Sequence, residues 1–152
     1  MNVQELLREN HVRFRTAQHR TTATAQQVAD ALHLPGDNVA KTVVLKADDR
    51  YVVAVLQATH LVDMPMARRA LAVDSVKLAL EHELSVLFPD CELGAIPPFG
   101  SRYGLKTLVD VSLAEDEYLV FEGNSHHEAV CMKFADFAEL EAPVIAAFSR
   151  HL

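Results

Sequence analysis

The segment Gly94-Ala-Ile-Pro-Pro-Phe-Gly100 constrains the fold of this chain more than any other. Its two prolines fix their own φ angles, and the first of them holds Ile96 in an extended conformation. Gly94 and Gly100 can adopt backbone angles that other residues avoid, and they let a ligand approach the main chain closely. We therefore expect a loop that is stiff in its middle and adaptable at both ends.

The backbone amides of this loop, near 94–96 and 99–101, could converge on a carbonyl oxygen or an oxyanion. A purely structural turn is the commoner explanation of a glycine- and proline-rich composition, and the composition alone favours it. The functional alternative gains weight only in combination with a second feature, which is a lysine at the start of an apolar strand.

That lysine is Lys41, in the segment Lys41-Thr-Val-Val-Leu-Lys46. With the two-residue period of a strand, Lys41 shares one face with Val43 and Leu45. A lysine at the head of an apolar face reaches solvent, pairs with an acid or lines a cavity. Two explanations stay open. One is a solvated strand end, and the other is a cation at the mouth of a pocket that holds a phosphate or a developing negative charge.

Length and composition predict one domain over residues 1–152, with half of the residues apolar and 7% aromatic. No apolar run approaches the ~20 residues of a membrane span, and the first residues do not resemble a signal peptide. Two cysteines without close spacing favour a reducing compartment, so we expect a cytoplasmic protein. The net charge of −7 argues against general nucleic-acid binding but permits local basic patches.

Hydrophobic periodicity and capping signals predict short helices alternating with strands. The predicted helices cover 3–10, 24–34, 65–71, 81–88, 134–140 and 143–151. The predicted strands cover 12–16, 39–47, 51–58, 75–79, 105–111, 118–122 and 128–132, and the second and third of them are expected to form a β-hairpin. Strands interleaved with helices in this way indicate an α+β domain around a mixed sheet.

The remaining polar residues give weaker signals. His126 and His127 are adjacent, so in a strand they point to opposite faces and cannot ligate one metal from one side. No other residue stands at metal-ligand spacing, and we expect neither a metal nor a cofactor. One of the two histidines could still line a pocket. Asp136 is by default a carboxylate in the first turn of a helix.

Basic residues form three groups that are candidates for contacts with a nucleic-acid backbone, although a solvated surface is the commoner explanation of any one group. The candidates are Arg13, Arg15, Arg20, Arg68, Arg69 and Arg102.

The order of four segments in the chain resembles the YbaK family, the free-standing relatives of the editing domain inserted in bacterial prolyl-tRNA synthetases. These segments are Lys41-Thr-Val-Val-Leu, Gly94-Ala-Ile-Pro-Pro-Phe-Gly, Leu105-Lys-Thr-Leu-Val-Asp110 and Phe134-Ala-Asp-Phe. The resemblance extends from the N-terminal helix to about Leu140. It implies an α+β domain with a mixed, partly barrel-like sheet, and hydrolysis of the ester that joins a mischarged amino acid to the 3′ end of a tRNA.

The resemblance also implies roles for particular residues. Lys41 would be the critical side chain, and the glycine-proline loop would frame the aminoacyl group. The first three loop positions would be catalytic and the last four would bind the substrate. Asp136 matches a position at the family's site, His126 or His127 would help to select the amino acid, and His19 stands where several members have an aromatic residue. The loop positions are Gly94, Ala95, Ile96, Pro97, Pro98, Phe99 and Gly100.

The closest members of that family remove Cys or Ala from tRNA for proline, so these are the expected substrates and prolyl-tRNA synthetase is a candidate partner. The alternative is a non-catalytic module that binds aminoacyl-tRNA, a synthetase or a nucleotide through the same pocket. A hydrolase that uses Cys91 or Cys131 with a histidine is a third hypothesis with little support.

Overall fold

The computed structural model describes residues 1–21, 24–35 and 38–151. Gly36, which the sequence places just after the second helix, lies outside the described residues. The helices are α1 (Val3–Glu9), α2 (Ala25–Ala31), α3 (Met64–Leu71), α4 (Glu81–Leu87), α5 (Val111–Ala114) and α6 (Phe134–Glu141), with a short 3-10 helix at Gly100–Tyr103. The strands are β1 (Phe14–Gln18), β2 (Ala40–Ala47), β3 (Arg50–Gln57), β4 (His60–Val62), β5 (Val76–Leu78), β6 (Lys106–Asp110), β7 (Tyr118–Glu122), β8 (Glu128–Lys133), β9 (Val144–Ala146) and β10 (Ser149–His151).

A mixed five-stranded sheet in the order β5-β2-β3-β6-β9 forms the centre of the molecule. The predicted hairpin is confirmed: β2 and β3 are antiparallel, with Lys41 opposite Leu56. Strand β6 runs parallel to β3, and β9 runs parallel to β6. Lys41 therefore lies at the end of β2 that is farthest from the hairpin turn.

A second sheet, β1-β8-β7, is antiparallel and packs beside the first. One parallel bridge between Val39 and Val120 connects the two sheets, and β4 pairs with β10 as a separate ribbon. The α+β class with a mixed sheet is confirmed. The described strands are divided among three sheets and do not close into a ring.

Strand β3 is buried on both faces because apolar residues cover the central sheet from two sides. Val53 and Val55 face a core that contains α1 and the phenylalanines of the loop and of α6. Val52, Ala54 and Leu56 face a second core beneath α3. Such a continuous apolar run is typical of a central strand covered on both faces.

The predicted helix starts are confirmed by their caps. The Thr24 side chain accepts from the Gln27 amide while the Gln27 side chain accepts from the Thr24 amide, so α2 begins with a capping box. The Asp63 side chain accepts from the Met66 amide at the start of α3.

The predicted helix over 143–151 is wrong, because this segment forms β9 and β10. Buried Asp110, at the end of β6, explains the difference. Its Oδ1 accepts from the amides of Phe148 at 2.9 Å and Ser149 at 3.0 Å. The Phe148 ring is fully buried, so packing and the remote carboxylate override the local preference for a helix. No helix in the described ranges has the length and apolar character needed to cross a membrane.

We predict that Asp110→Ala lowers the free energy of unfolding by about 3 kcal/mol, because it leaves the Phe148 amide buried without an acceptor. Asp110→Asn keeps an oxygen for that amide and should cost less. Urea denaturation at neutral pH measures both variants. Equal losses in the two variants would contradict the assigned role of the Oδ1 acceptor.

The same carboxylate makes the stability depend on pH. Burial, the largest single influence, raises the pKa of Asp110, but the hydrogen bonds from Phe148, Ser112 and Ser149 together outweigh it and lower the pKa. A lowered pKa contributes stability above the unfolded pKa of ~3.9 that is lost as the pH falls through the folded value. The difference in stability between wild type and Asp110→Asn should therefore shrink in acid.

Candidate active site

A cavity of about 250 Å³ opens where the two sheets meet. The N-terminal part of α2, the start of β2, the glycine-proline loop and the end of β7 surround it. Its walls are mostly small or apolar, with Lys41, Thr42, Glu122 and His126 as the polar exceptions. The lining residues are Ala25, Val28, Val39, Ala40, Lys41, Thr42, Ala58, Gly94, Ile96, Val120, Phe121, Glu122, His126 and Ala129.

Lys41 lines this cavity as a half-buried cation. It makes no ion pair or hydrogen bond with any residue that the structure describes. Burial lowers the pKa of Lys41, because removal of water disfavours the charged form. An anion in the cavity would oppose that effect, so the site is suited to a phosphate or an oxyanion.

The second half of the glycine-proline loop does not offer free amides. The Phe99 amide donates to the carbonyl two residues before it, and the Gly100 amide donates to Thr107 Oγ1 at 2.9 Å. The Ser101 amide donates to Glu141 Oε2 at 3.0 Å. The sequence suggested that these amides could meet a ligand, but internal acceptors occupy all of them.

The first half of the loop differs, since its backbone faces the cavity. The Ala95 amide donates to the Glu92 carbonyl at 3.0 Å. The amides of Gly94 and Ile96 have no hydrogen-bond partner within the described ranges, and both residues line the cavity. Gly94 has φ +84°, a conformation that favours glycine.

His126 lies against Gly94, where a Cβ added to the glycine would come 3.1 Å from the imidazole Cε1. Its Nδ1 is 2.8 Å from Glu122 Oε2, and its Nε2 bonds the Leu93 carbonyl oxygen. Both partners only accept, so the imidazolium form of the ring is the one that satisfies both contacts. The Leu93 hydrogen bond is the largest influence that raises the pKa of His126; burial opposes it, and Glu122 adds to it.

His19 lies beside the same carboxylate but is not among the residues that line the cavity. Its side chain is only 6% exposed, and its Nε2 is 3.9 Å from Glu122 Oε1, too far for a hydrogen bond. Its Nδ1 is 2.8 Å from the Arg20 carbonyl oxygen, which can only accept, so Nδ1 carries the proton in the neutral ring. His19 Nε2 is then a buried acceptor without a partner among the described residues.

The other expected site residues lie outside the cavity lining. The second half of the loop is buried in the protein and does not reach the cavity; it comprises Pro97, Pro98, Phe99 and Gly100. The Phe99 ring packs edge-on against aromatic rings of the core. His127 is exposed. The resemblance led us to expect that these loop residues and one of the two histidines contact the substrate. The buried position of the proline segment favours a supporting role for it.

Asp136 lies in the first turn of α6 and lines a separate depression with residues around His11. The structure therefore does not bring Asp136 together with Lys41 and the loop in one cavity.

The arginines expected to contact tRNA are dispersed. Arg13 and Arg15 line a depression with Tyr118 and Lys133 on the three-stranded sheet. Arg68 and Arg69 end α3, Arg102 lies in the 3-10 helix, and Arg20 is exposed just after β1. The geometry of the described chain does not select one group over the others.

Glu122 is the main site residue that the sequence analysis missed. It ends β7, and the same two-residue period that places Val120 on the cavity face also places Glu122 there. The sequence did offer one signal for Glu122: it is an acid at the end of a strand, and a histidine follows it by four residues across a turn. Thr42 and Ala58 were missed as well, because only the pairing of β2 with β3 brings them to the cavity.

We predict that Glu122→Gln lowers the pKa of His126 without returning it to the ordinary value, because the Leu93 carbonyl remains in place. An NMR titration of the histidine side chains measures the shift. Glu128→Gln, which changes an acid at the start of β8 that bonds Gln18 instead, is the control and should leave the His126 titration unchanged. An unaltered His126 pKa in Glu122→Gln would refute the ion pair.

Comparison with known proteins identifies relatives of this fold and site. The model of the aminoacyl-tRNA editing domain matches residues 19–140. The chain is 27% identical over 151 residues to the multifunctional Ser/Thr-tRNA deacylase ProXp-y of Escherichia coli K12, covering 95% of this chain and 89% of that protein. It is 26% identical over 89 residues to proline–tRNA ligase 1 of Bacillus thuringiensis subsp. konkukian, which corresponds to 59% of this chain and 16% of the ligase.

A solved structure supports the fold. The crystal structure of a protein proposed to be a trans-editing enzyme for prolyl-tRNA synthetase superimposes with a TM-score of 0.84 at 18% identity, covering 97% of this chain and 94% of that one. The family model spans the cavity, from His19 through the loop to the turn after β7. On this match, the chain belongs to the aminoacyl-tRNA editing domain family.

Proposed function

We propose that this chain is an aminoacyl-tRNA deacylase that hydrolyses the ester between a mischarged amino acid and the 3′ end of tRNA. The observation that carries the proposal is one cavity that combines the unpaired ammonium group of Lys41 with the unpaired amides of Gly94 and Ile96. Membership of the editing-domain family and similarity to a named Ser/Thr-tRNA deacylase support it.

The chemistry needs donors rather than a strong nucleophile, because an aminoacyl ester is already activated. A water molecule, oriented by the neighbouring ribose hydroxyl, attacks the carbonyl carbon and forms a tetrahedral oxyanion. The amides of Gly94 and Ile96 would donate to that oxygen. The ester bond then breaks, and the proton from the attacking group passes to the leaving ribose oxygen.

Lys41 would hold the phosphate of the terminal adenosine or the ester oxygen at the cavity mouth. The cysteines have no part in this scheme. Cys131 is buried away from the cavity lining, and burial raises the pKa of its thiol, which disfavours the nucleophilic thiolate. Cys91 contacts Tyr103 and Asn124 and does not line the cavity either.

The cavity suits a small amino acid. Its volume of about 250 Å³ is below the ~300–1,000 Å³ of typical ligand pockets. We propose Cys or Ala on tRNA for proline as substrates, in the cytoplasm, with prolyl-tRNA synthetase as a candidate partner. Ser and Thr are further candidate amino acids, because the Escherichia coli relative is named a Ser/Thr-tRNA deacylase.

We predict that wild type deacylates one or more of the Cys-, Ala-, Ser- and Thr-charged forms of tRNA for proline, and spares the Pro-charged form. Lys41→Ala should lower kcat/KM roughly 10²- to 10³-fold, the usual effect of removing one donor to a developing oxyanion. The measurement is the release of labelled amino acid with time.

The matched control is Lys46→Ala, since Lys46 is a half-buried lysine at the opposite end of β2 and pairs with Glu83. It should keep wild-type turnover, and circular dichroism should show that both variants fold. Full activity in Lys41→Ala would overturn the role of the lysine. Binding of aminoacyl-tRNA without turnover would instead indicate a non-catalytic module.

We predict that Gly94→Ala lowers kcat/KM at least ~10-fold, since displacement of a reacting group by about 1 Å can cost up to ~10²-fold. The added Cβ would stand 3.1 Å from the His126 ring and strain a backbone at φ +84°. Gly104→Ala carries similar backbone strain at φ +73°, but its Cβ meets nothing within 4 Å.

Gly104→Ala therefore separates backbone strain from damage to the cavity. Both variants should lose similar stability in urea denaturation, and only Gly94→Ala should lose deacylation. Equal activity losses in the two variants would show that general destabilisation, and not the loop geometry, sets the rate.

A further inference from the structure

The cavity carries its charges at two separate places. Lys41 at the start of β2 contributes the ammonium group, and Glu122 at the end of β7 contributes the one carboxylate among the described lining residues. They do not pair with each other. Opposite charges that share a cavity without neutralising each other are suited to a ligand that carries both a negative and a positive group.

Glu122 has one oxygen in use and one available. Oε2 accepts from His126 Nδ1 at 2.8 Å, and this bond accounts for the structural use of the carboxylate. Oε1 has no donor within hydrogen-bond distance in the described part of the chain. The Glu122 side chain is 32% exposed, so a group in the cavity can reach it.

His19 lies outside the cavity lining and gives no hydrogen bond to the free oxygen of Glu122. In its neutral form its Nε2 is an acceptor that faces another acceptor, Glu122 Oε1, at 3.9 Å. Glu122 Oε1 therefore lacks a donor from the described residues, and a group with several N–H bonds in the cavity would supply one. An ammonium group carries three such bonds and a charge opposite to that of the carboxylate.

We propose that Glu122 is a specificity residue that binds the α-ammonium group of the aminoacyl ester. The inference rests on the proposed deacylase function and names the substrate class more narrowly: aminoacyl-tRNA with a free amino group. N-acylated forms, such as formylated or peptidyl esters, lack the charge and two of the N–H bonds. They would also place an acyl group against the carboxylate, so the site discriminates against them.

This assignment fits the rest of the cavity. The carbonyl carbon of an aminoacyl ester is one bond from the carbon that bears the α-ammonium group. Glu122 therefore fixes the amino end of the substrate while the amides of Gly94 and Ile96 receive the carbonyl oxygen. The contact of His126 Nδ1 with Oε2 holds the Glu122 carboxylate in position, while His126 Nε2 bonds the Leu93 carbonyl oxygen.

The test compares the fastest-cleaved aminoacyl-tRNA of the panel with the same tRNA after N-acetylation. Wild type should cleave the free-amine form at least ~10-fold faster. Glu122→Gln should lower kcat/KM for the free-amine form roughly 10- to 100-fold, the effect of removing a hydrogen-bonded charge, and change cleavage of the N-acetylated form little. Glu122→Asp, which retains the charge on a shorter side chain, should recover part of the loss.

The control variant is Glu128→Gln, which should retain wild-type selectivity. Equal cleavage of both substrates by wild type, or equal losses on both in Glu122→Gln, would overturn the proposal and leave a structural role for Glu122. The ratio of kcat/KM for the free-amine and N-acetylated substrates tests the role of Glu122, since a variant that merely disturbs the fold lowers both rates together.

A binding measurement separates failure of this inference from failure of the deacylase function. The probes are amide analogues of 3′-alanyl-adenosine that cannot be hydrolysed, with a free or an acetylated amino group. If wild type cleaves no substrate but binds the free-amine probe more tightly, and Glu122→Gln removes that preference, the deacylase function fails and the inference stands. Equal affinities for the two probes overturn the inference whatever the activity.

Discussion

A buried carboxylate holds the glycine-proline loop in place, and the geometry of the candidate site depends on it. Glu141, at the end of α6, accepts from the Ser101 amide and hydroxyl and from the Thr107 hydroxyl. Thr107 Oγ1 in turn accepts from the Gly100 amide. The network joins the loop to β6 and α6, and a Cβ at Gly100 would collide with Thr107 Oγ1 at 2.7 Å. Glycine is required there for close packing and not for ligand approach.

This anchoring divides the loop into two functional halves. The half that follows the prolines directs its amides into the protein, where Thr107 and Glu141 accept them. The prolines have no amide hydrogen to satisfy and can be buried without a partner. Only the half before the prolines leaves amides open, at Gly94 and Ile96. A rigid, internally satisfied second half fixes the first half, so its donors need little reorganisation when charge develops.

The sequence predicts the elements whose signals are local. The prediction fails where a contact with a distant part of the chain determines the secondary structure. The β2–β3 hairpin, the caps at Thr24 and Asp63, and the combination of Lys41 with the loop follow from spacing and composition. The terminal strands do not, because the carboxylate of Asp110 selects them from another part of the chain. Glu122 was missed although His126 follows it by only four residues, and its contact with His19 is one that only the folded chain creates.

Unpaired polar groups at the cavity and beside it are informative because they oppose stability. Lys41 is half-buried without a counter-ion, and His19 Nε2 is buried without a donor, although each would be stabilised by a partner within the protein. An ion pair between Lys41 and Glu122 would relieve part of that cost, yet the two do not pair and the carboxylate contacts His126 instead. The separation leaves a negative group free for an ammonium and a positive group free for an oxyanion or a phosphate, which are the two charges that an aminoacyl end of tRNA carries into such a site.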